Sequence, residues 1–263
     1  MLALASLVLT AVVIAPRHAE AAWGFHTPGI HDLQVAPPSN GLPAAGVAPA
    51  AHYVIHGGYV AAGVGMRDKG SGSIAIAGIP AGSKVVRAFL YWDVLADGPG
   101  PSLASVKFNN KPIVGDYIGA GGNPCWNSGG NFAYRADVTK MVAGNGTYNL
   151  TGFTSFYTDG GDPFDQMGPD WPPTDPMAEG ATLVIFYFNK NSPIMDMVLV
   201  QGTDEFYVDH QVTVDGFLAA DPATNASVTL FSGDGQTVGD CGGGNVASGE
   251  ETDFNGIPIS FSD

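Results

Sequence analysis

Six carboxylates crowd one stretch of this sequence: Asp159, Asp162, Asp165, Asp170, Asp175 and Glu179. Three of them, in Asp159-Gly-Gly-Asp162-Pro-Phe-Asp165, stand at i, i+3 and i+6 on a segment broken by glycine and proline. Calcium gathers roughly six to eight oxygens from flexible carboxylates and carbonyls, so the spacing suits a calcium-ordered loop, although it is not the EF-hand pattern. The plainer alternative is a solvated acidic loop. Asp234 and Asp240, beside Cys241, form a lesser candidate of the same kind. Two carboxylates about 5–10 Å apart could instead serve as acid and base in glycoside hydrolysis, with Glu179 and Asp162 as the pair, but spacing along a loop does not set that distance. His26, His31, His52 and His56 offer nitrogen ligands for zinc or copper only if the fold gathers them. A serine nucleophile is disfavoured, because no G-x-S-x-G occurs and Gly70-Ser71-Gly72-Ser73 lacks a strand-to-helix elbow. Trp126, Phe164 and Trp171 lie in expected loops, where flat rings either stack on sugar faces or pack against their own loop.

Composition says what must position these groups. Of 263 residues, 37 are Gly and 19 Pro, together about a fifth of the chain. Glycine and proline at this density interrupt helices but suit short strands joined by turns, so the expectation is an all-β domain and not a helical bundle. The formal charge is −15, from 25 acidic against 10 basic side chains. Nucleic acid is therefore excluded as a partner, since phosphate binding requires clustered Lys and Arg. Leu2 to Ala15 is apolar and precedes Pro16-Arg17-His18 and the small-residue pattern Ala19-Glu20-Ala21. Residues 1–21 are thus expected to be a signal peptide cleaved after Ala21, with no transmembrane segment left in a secreted or cell-surface product. Cys125 and Cys241 would meet an oxidising compartment, and the even count predicts a disulfide between two glycine-rich loops.

Along the chain, residues 22–51 read as a lead-in rich in Pro, Ala and Gly, and 52–263 as the β domain. Strands are expected at 73–77, 84–95, 105–108, 113–118, 131–135, 147–153, 181–188, 194–201, 205–214, 226–231 and 257–261. Pro80-Ala81-Gly82 supplies a turn, and Asn109-Asn110 a hairpin turn, because asparagine tolerates positive φ. The segment between Phe153 and Ala181 is long, acidic and without periodicity, which in a compact domain marks a functional loop. No internal repeat points to a propeller or β-helix. The pattern predicts a two-sheet antiparallel β-sandwich with long loops. The strand-like pattern at 257–261 has no closing turn after it, so a continuation beyond residue 263 is expected.

The order A-F-L-Y-W from Ala88, A-S-V-K-F-N-N-K-P-I-V-G from Ala104 and N-F-A-Y-R-A-D-V-T-K-M-V-A-G-N-G-T-Y-N-L from Asn131 resembles the galactose-binding-like jelly roll found in sugar-binding domains of many glycosidases. Asn110 stands where that family's hairpin usually has glycine. A further resemblance, carried by A-x-L-Y-W, R-A-D-V-T and M-A-E-G-A-x-L-V, is to uncharacterised secreted bacterial surface proteins. The first resemblance implies a jelly-roll fold and the second an exported surface or matrix module; taken with the loop aromatics, the expectation is a domain that binds a carbohydrate or a cell-surface or matrix component. Such a domain would be non-catalytic, with calcium ordering its loop. Alternatives are a secreted glycoside hydrolase and a matrix or filament subunit that self-associates through an edge strand.

Overall fold

The computed structural model describes residues 5–16, 29–31, 46–122, 128–161, 175–206, 227–231, 251–254 and 257–261. The strands in chain order are β1 (Ala5–Pro16), β2 (Gly29–His31), β3 (Gly46–Gly65), β4 (Ser71–Ile76), β5 (Lys84–Ala96), β6 (Ser105–Phe108), β7 (Lys111–Val114), β8 (Asp116–Gly121), β9 (Gly130–Asp137), β10 (Gly146–Thr151), β11 (Met177–Phe188), β12 (Ile194–Phe206), β13 (Ser227–Phe231), β14 (Glu251–Phe254) and β15 (Ile257–Phe261). A single turn of helix, α1 (Pro101–Ala104), precedes β6, and a 3-10 turn spans Thr139–Met141. The expected all-β sandwich of antiparallel sheets is what forms.

The large sheet runs β13-β1-β12-β3-β11-β5-β9-β8, with β2 beside β3, and the small sheet runs β4-β10-β6-β7. A separate hairpin pairs β14 with β15. The large sheet is strongly curled. Tyr91 of β5 and Arg135 of β9 both donate to Gln201 Oε1 of β12, at 2.9 and 3.0 Å, across strands that are not neighbours in the ladder. At Gly119 of β8 an added Cβ would stand 2.2 Å from Thr203 Oγ1 of β12, so the curl closes on a position that only glycine fits. The Tyr59 and Thr229 hydroxyls bond across the same interior.

Alternation along the strands then makes two cores. Phe89, Tyr91, Val184, Phe186, Tyr53, Met197 and Leu199 point into the curl. Leu90, Trp92, Val94, Tyr134, Leu183 and Ile185 point the other way and meet Ile74, Val106, Phe108, Tyr148 and Leu150 of the small sheet. Strands apolar on both faces are the signature of β5 and β11, which lie between the cores.

The hairpin at Asn109-Asn110 forms as expected, with φ of 48° and 63°. Gly82 has φ +79°, and Ser83 N–H closes its turn onto Pro80 O at 3.2 Å. Asp137 Oδ1 accepts Thr139 N–H, Thr139 Oγ1 accepts Ala88 N–H, and Val138 is buried, so the D-V-T segment fastens a short turn to β5.

Three expectations on boundaries are corrected. The strand expected at 113–118 is two strands in different sheets, β7 and β8, divided at Gly115. There the Trp92 ring lies 2.3 Å from where a Cβ would stand, and only a glycine lets the chain cross. β3, twenty residues long from Gly46, lies where no strand was expected. The strand expected to start at 181 begins at Met177, inside the supposed loop. The apolar stretch expected to be a signal contains β1, which pairs with β12 from Ala5↔Phe206 to Pro16↔Met195 and with β13 on its other side. Among the described residues no helix is long and apolar enough to cross a membrane.

Candidate functional site at one end of the sandwich

The register of three adjacent strands assembles a polar row at one end of the molecule. Leu95 of β5 faces Met177 of β11, and Ala96 faces Gly130 of β9. Continued two residues past the strand ends, the first ladder sets Asp97 opposite Asp175, and the second brings residues 128–129 alongside. Asp175 accordingly makes side-chain hydrogen bonds to both Ser128 and Asp97. Burial first, and the Asp97 charge second, push the Asp175 carboxyl up to about 6 from the usual 3.8, while the Ser128 hydroxyl pulls the other way. The other oxygen, Asp175 Oδ1, is buried without a hydrogen-bond partner. Like charges directly opposite on neighbouring strands repel, so a proton held between them is the expected remedy.

An aromatic surface adjoins the row. Phe156 N–H donates to Pro176 O at 2.6 Å, which fixes the 153–158 segment against the start of β11. Phe156 is 59% exposed and meets Tyr157 edge to face at 4.9 Å. An exposed phenyl of this kind, beside hydroxyl and carboxyl groups, is the pairing that sugar recognition uses: a flat apolar face with polar groups at its edge.

The floor under this end is rigid. Trp92 stacks on Tyr134 at 5.8 Å, meets Phe153 edge-on at 6.1 Å, and donates its indole N–H to Leu103 O at 2.9 Å. Gly100 N–H donates to the Tyr134 hydroxyl, and Thr154 Oγ1 donates to Ser102 O at 3.0 Å, which ties both flanking segments down.

The residues singled out from sequence fare unevenly. Asp159 is exposed, and its Oδ1 accepts Gly161 N–H at 2.9 Å, closing a local turn. Its expected co-ligands Asp162 and Asp165 lie outside the described residues, as do Asp170, Asp234 and Asp240. Trp126, Phe164, Trp171, Cys125 and Cys241 also lie outside them. Glu179 is buried, and Arg67 places Nε and Nη2 on its Oε2 at 2.9 and 2.5 Å. A carboxylate committed to a guanidinium in this way is placed as a structural tie and not as a free acid in a cleft.

Of the histidines, His26 lies outside the described residues, and His31 is set opposite His52 by the β2–β3 register. His52 Nε2 stands 2.5 Å from Oδ1 of the buried Asp196, and His56 Nδ1 donates to Ser192 O. Among the described residues no three His, Cys, Asp or Glu side chains group closely enough to hold a metal ion. Sequence reasoning passed over Asp97, Ser128, Phe156 and Tyr157. Asp97 and Asp175 are 78 positions apart, and only the strand register joins them. Compared with protein-family models, curated proteins and solved structures, the chain matches none.

Proposed function

We propose that this is an exported, non-catalytic β-sandwich that binds a carbohydrate or another surface component at the end bearing Phe156, Tyr157, Asp97, Ser128 and Asp175. The observation that carries the reading is the exposed Phe156 ring beside the hydrogen-bonded Asp97–Asp175–Ser128 row, on a floor fixed by Trp92. The galactose-binding-like jelly-roll resemblance supports the same reading, because loops at one end of such a sandwich are where its sugar-binding members bind. Trp126, Phe164 and Trp171, which lie outside the described residues, are kept as candidate sugar-stacking residues on their chemistry alone. Calcium held by Asp159, Asp162 and Asp165 orders the long acidic segment. Export through a signal cleaved after Ala21 removes β1 and leaves β12 at the margin of the mature sheet.

A glycosidase reading is weaker. Asp97 and Asp175 are in hydrogen-bond contact, closer than the separation of roughly 5 Å that a carboxyl pair needs to flank a glycosidic bond. Affinity electrophoresis through gels cast with a panel of polysaccharides tests the binding. Retardation by at least one polymer, lost in Phe156→Ala, is expected; equal migration of wild type and variant in every gel contradicts it. In parallel, EDTA should lower the melting temperature and calcium restore it, and an unchanged melting curve removes calcium from the account.

A further inference from the structure

We propose that Asp97 and Asp175 form a proton-operated latch that fixes the position of the Phe156 surface. With one proton between them, the pair ties the end of β5 to the start of β11. Without it, two carboxylates face each other and push the strand ends apart.

The geometry supplies the coupling. Asp97 and Asp175 are opposite by register, one and two residues beyond the strand ends; the β5–β9 ladder is regular here, whereas β11 bulges at Glu179, just inside the Leu95–Met177 pair. Pro176, next to Asp175, carries the carbonyl that accepts the Phe156 amide. A shift at Asp175 therefore reaches the exposed ring through one peptide unit. Among the described residues that carry or flank the pair, 97–104, 128–130, 153–158 and 175–177 contain no lysine, arginine or histidine. The neutral Ser128 stands two residues before β9, and residues 98–104 and 153–158 contain no ionisable side chain except Tyr157. The next acids on the two strands are already engaged: Asp93 accepts from Asn131 Nδ2 at 3.0 Å, and Glu179 is held by Arg67. In sequence, the ionisable groups of 162–174 are acids, and that of 123–127 is the Cys125 thiol.

The sign follows from linkage. The Asp175 carboxyl titrates at about 6 in the folded chain against 3.8 as its ordinary value. The proton thus favours the latched form; that contribution is complete below about pH 4 and is lost as pH rises through 6. Endosomal or acidified surroundings would tighten the site, and neutral ones would loosen it. The consequence for ligand binding rests on the function proposed above, whereas the latch is a property of the free protein.

The test is made without ligand on the full chain. Carboxyl-carbon NMR titration should place the Asp175 midpoint near 6 and return it toward the ordinary carboxylate range in Asp97→Asn. Hydrogen exchange at the Phe156 amide, corrected for intrinsic rate, should quicken roughly tenfold between pH 5 and 7.5 in the wild type. It should stay level in Asp97→Asn and keep the wild-type step in Asp116→Asn, which changes an exposed acid of β8. A wild-type Asp175 midpoint near 4, or an exchange step of equal size in Asp97→Asn, overturns the latch. If Asp97→Asn fails to fold, the wild-type midpoint alone decides. Failure of polysaccharide binding would leave these readings unchanged, so the two proposals fail separately.

Discussion

Asp175 and Glu179 stand four residues apart, just before and just inside the same strand, yet they keep opposite company. Glu179 is buried and takes two nitrogens of Arg67 on one oxygen. Asp175 is partly open and hydrogen-bonds a second acid. An acid with a fixed counter-charge is a structural tie. An acid facing another acid has no settled state near neutral pH, and it lies where the polar row meets an exposed aromatic. The sequence shows both as members of one acidic run; only the partner across the sheet separates the tie from the switch.

The largest expected effect comes from breaking the tie. Arg67→Met leaves a carboxylate in the core without its guanidinium and should cost about 3 kcal/mol, measured as a lower urea midpoint with unchanged slope. Disturbing the floor below the switch comes next. Gly115→Ala drives a methyl into the Trp92 ring and should cost about 2 kcal/mol, with a change in near-ultraviolet circular dichroism from Trp92.

Asp175→Asn sharpens the comparison by keeping the shape and removing the charge. Because the folded-state value is raised, the wild type loses stability as pH rises through 6. The variant should therefore match it at pH 4.5 and exceed it by about 1 kcal/mol at pH 7.5. The same measurement on Arg67→Met should show no gain at neutral pH. Smallest is Phe156→Ala, which removes a ring that packs on little and should stay within about 0.5 kcal/mol of wild type, while weakening any glycan contact about tenfold.

Local chemistry was legible where a few adjacent residues decide the outcome. Asn109-Asn110 tolerates positive φ and makes its hairpin, and Asp137-Val138-Thr139 bonds its own backbone and makes its turn. The strand from Lys84 is apolar on both faces because two cores need it, and that too is visible in its residues. β3 escaped notice for a physical reason. Its glycines at 57, 58, 63 and 65 and its alanines lower strand propensity, and burial on both faces along its first half erases the alternation that marks a strand. Gly115 looked like the interior of one strand, because nothing local announces that Trp92 occupies the space beside it. The binding end was least legible. The acidic run was visible, but Asp97 belongs to it only through the register of β5 on β11, and Phe156 is notable only because its ring stays exposed among the described residues.

The central claim is that this end, and not the region of the His52–Asp196 pair, meets a ligand. Backbone amide shifts measured by NMR during titration with an oligosaccharide of the polymer that retards the protein test it most directly. The account predicts shifts concentrated at Asp97, Ser128, residues 154–158 and Asp175, with little change at His52 and Asp196. Shifts centred on His52 and Asp196 with residues 154–158 unmoved would contradict it.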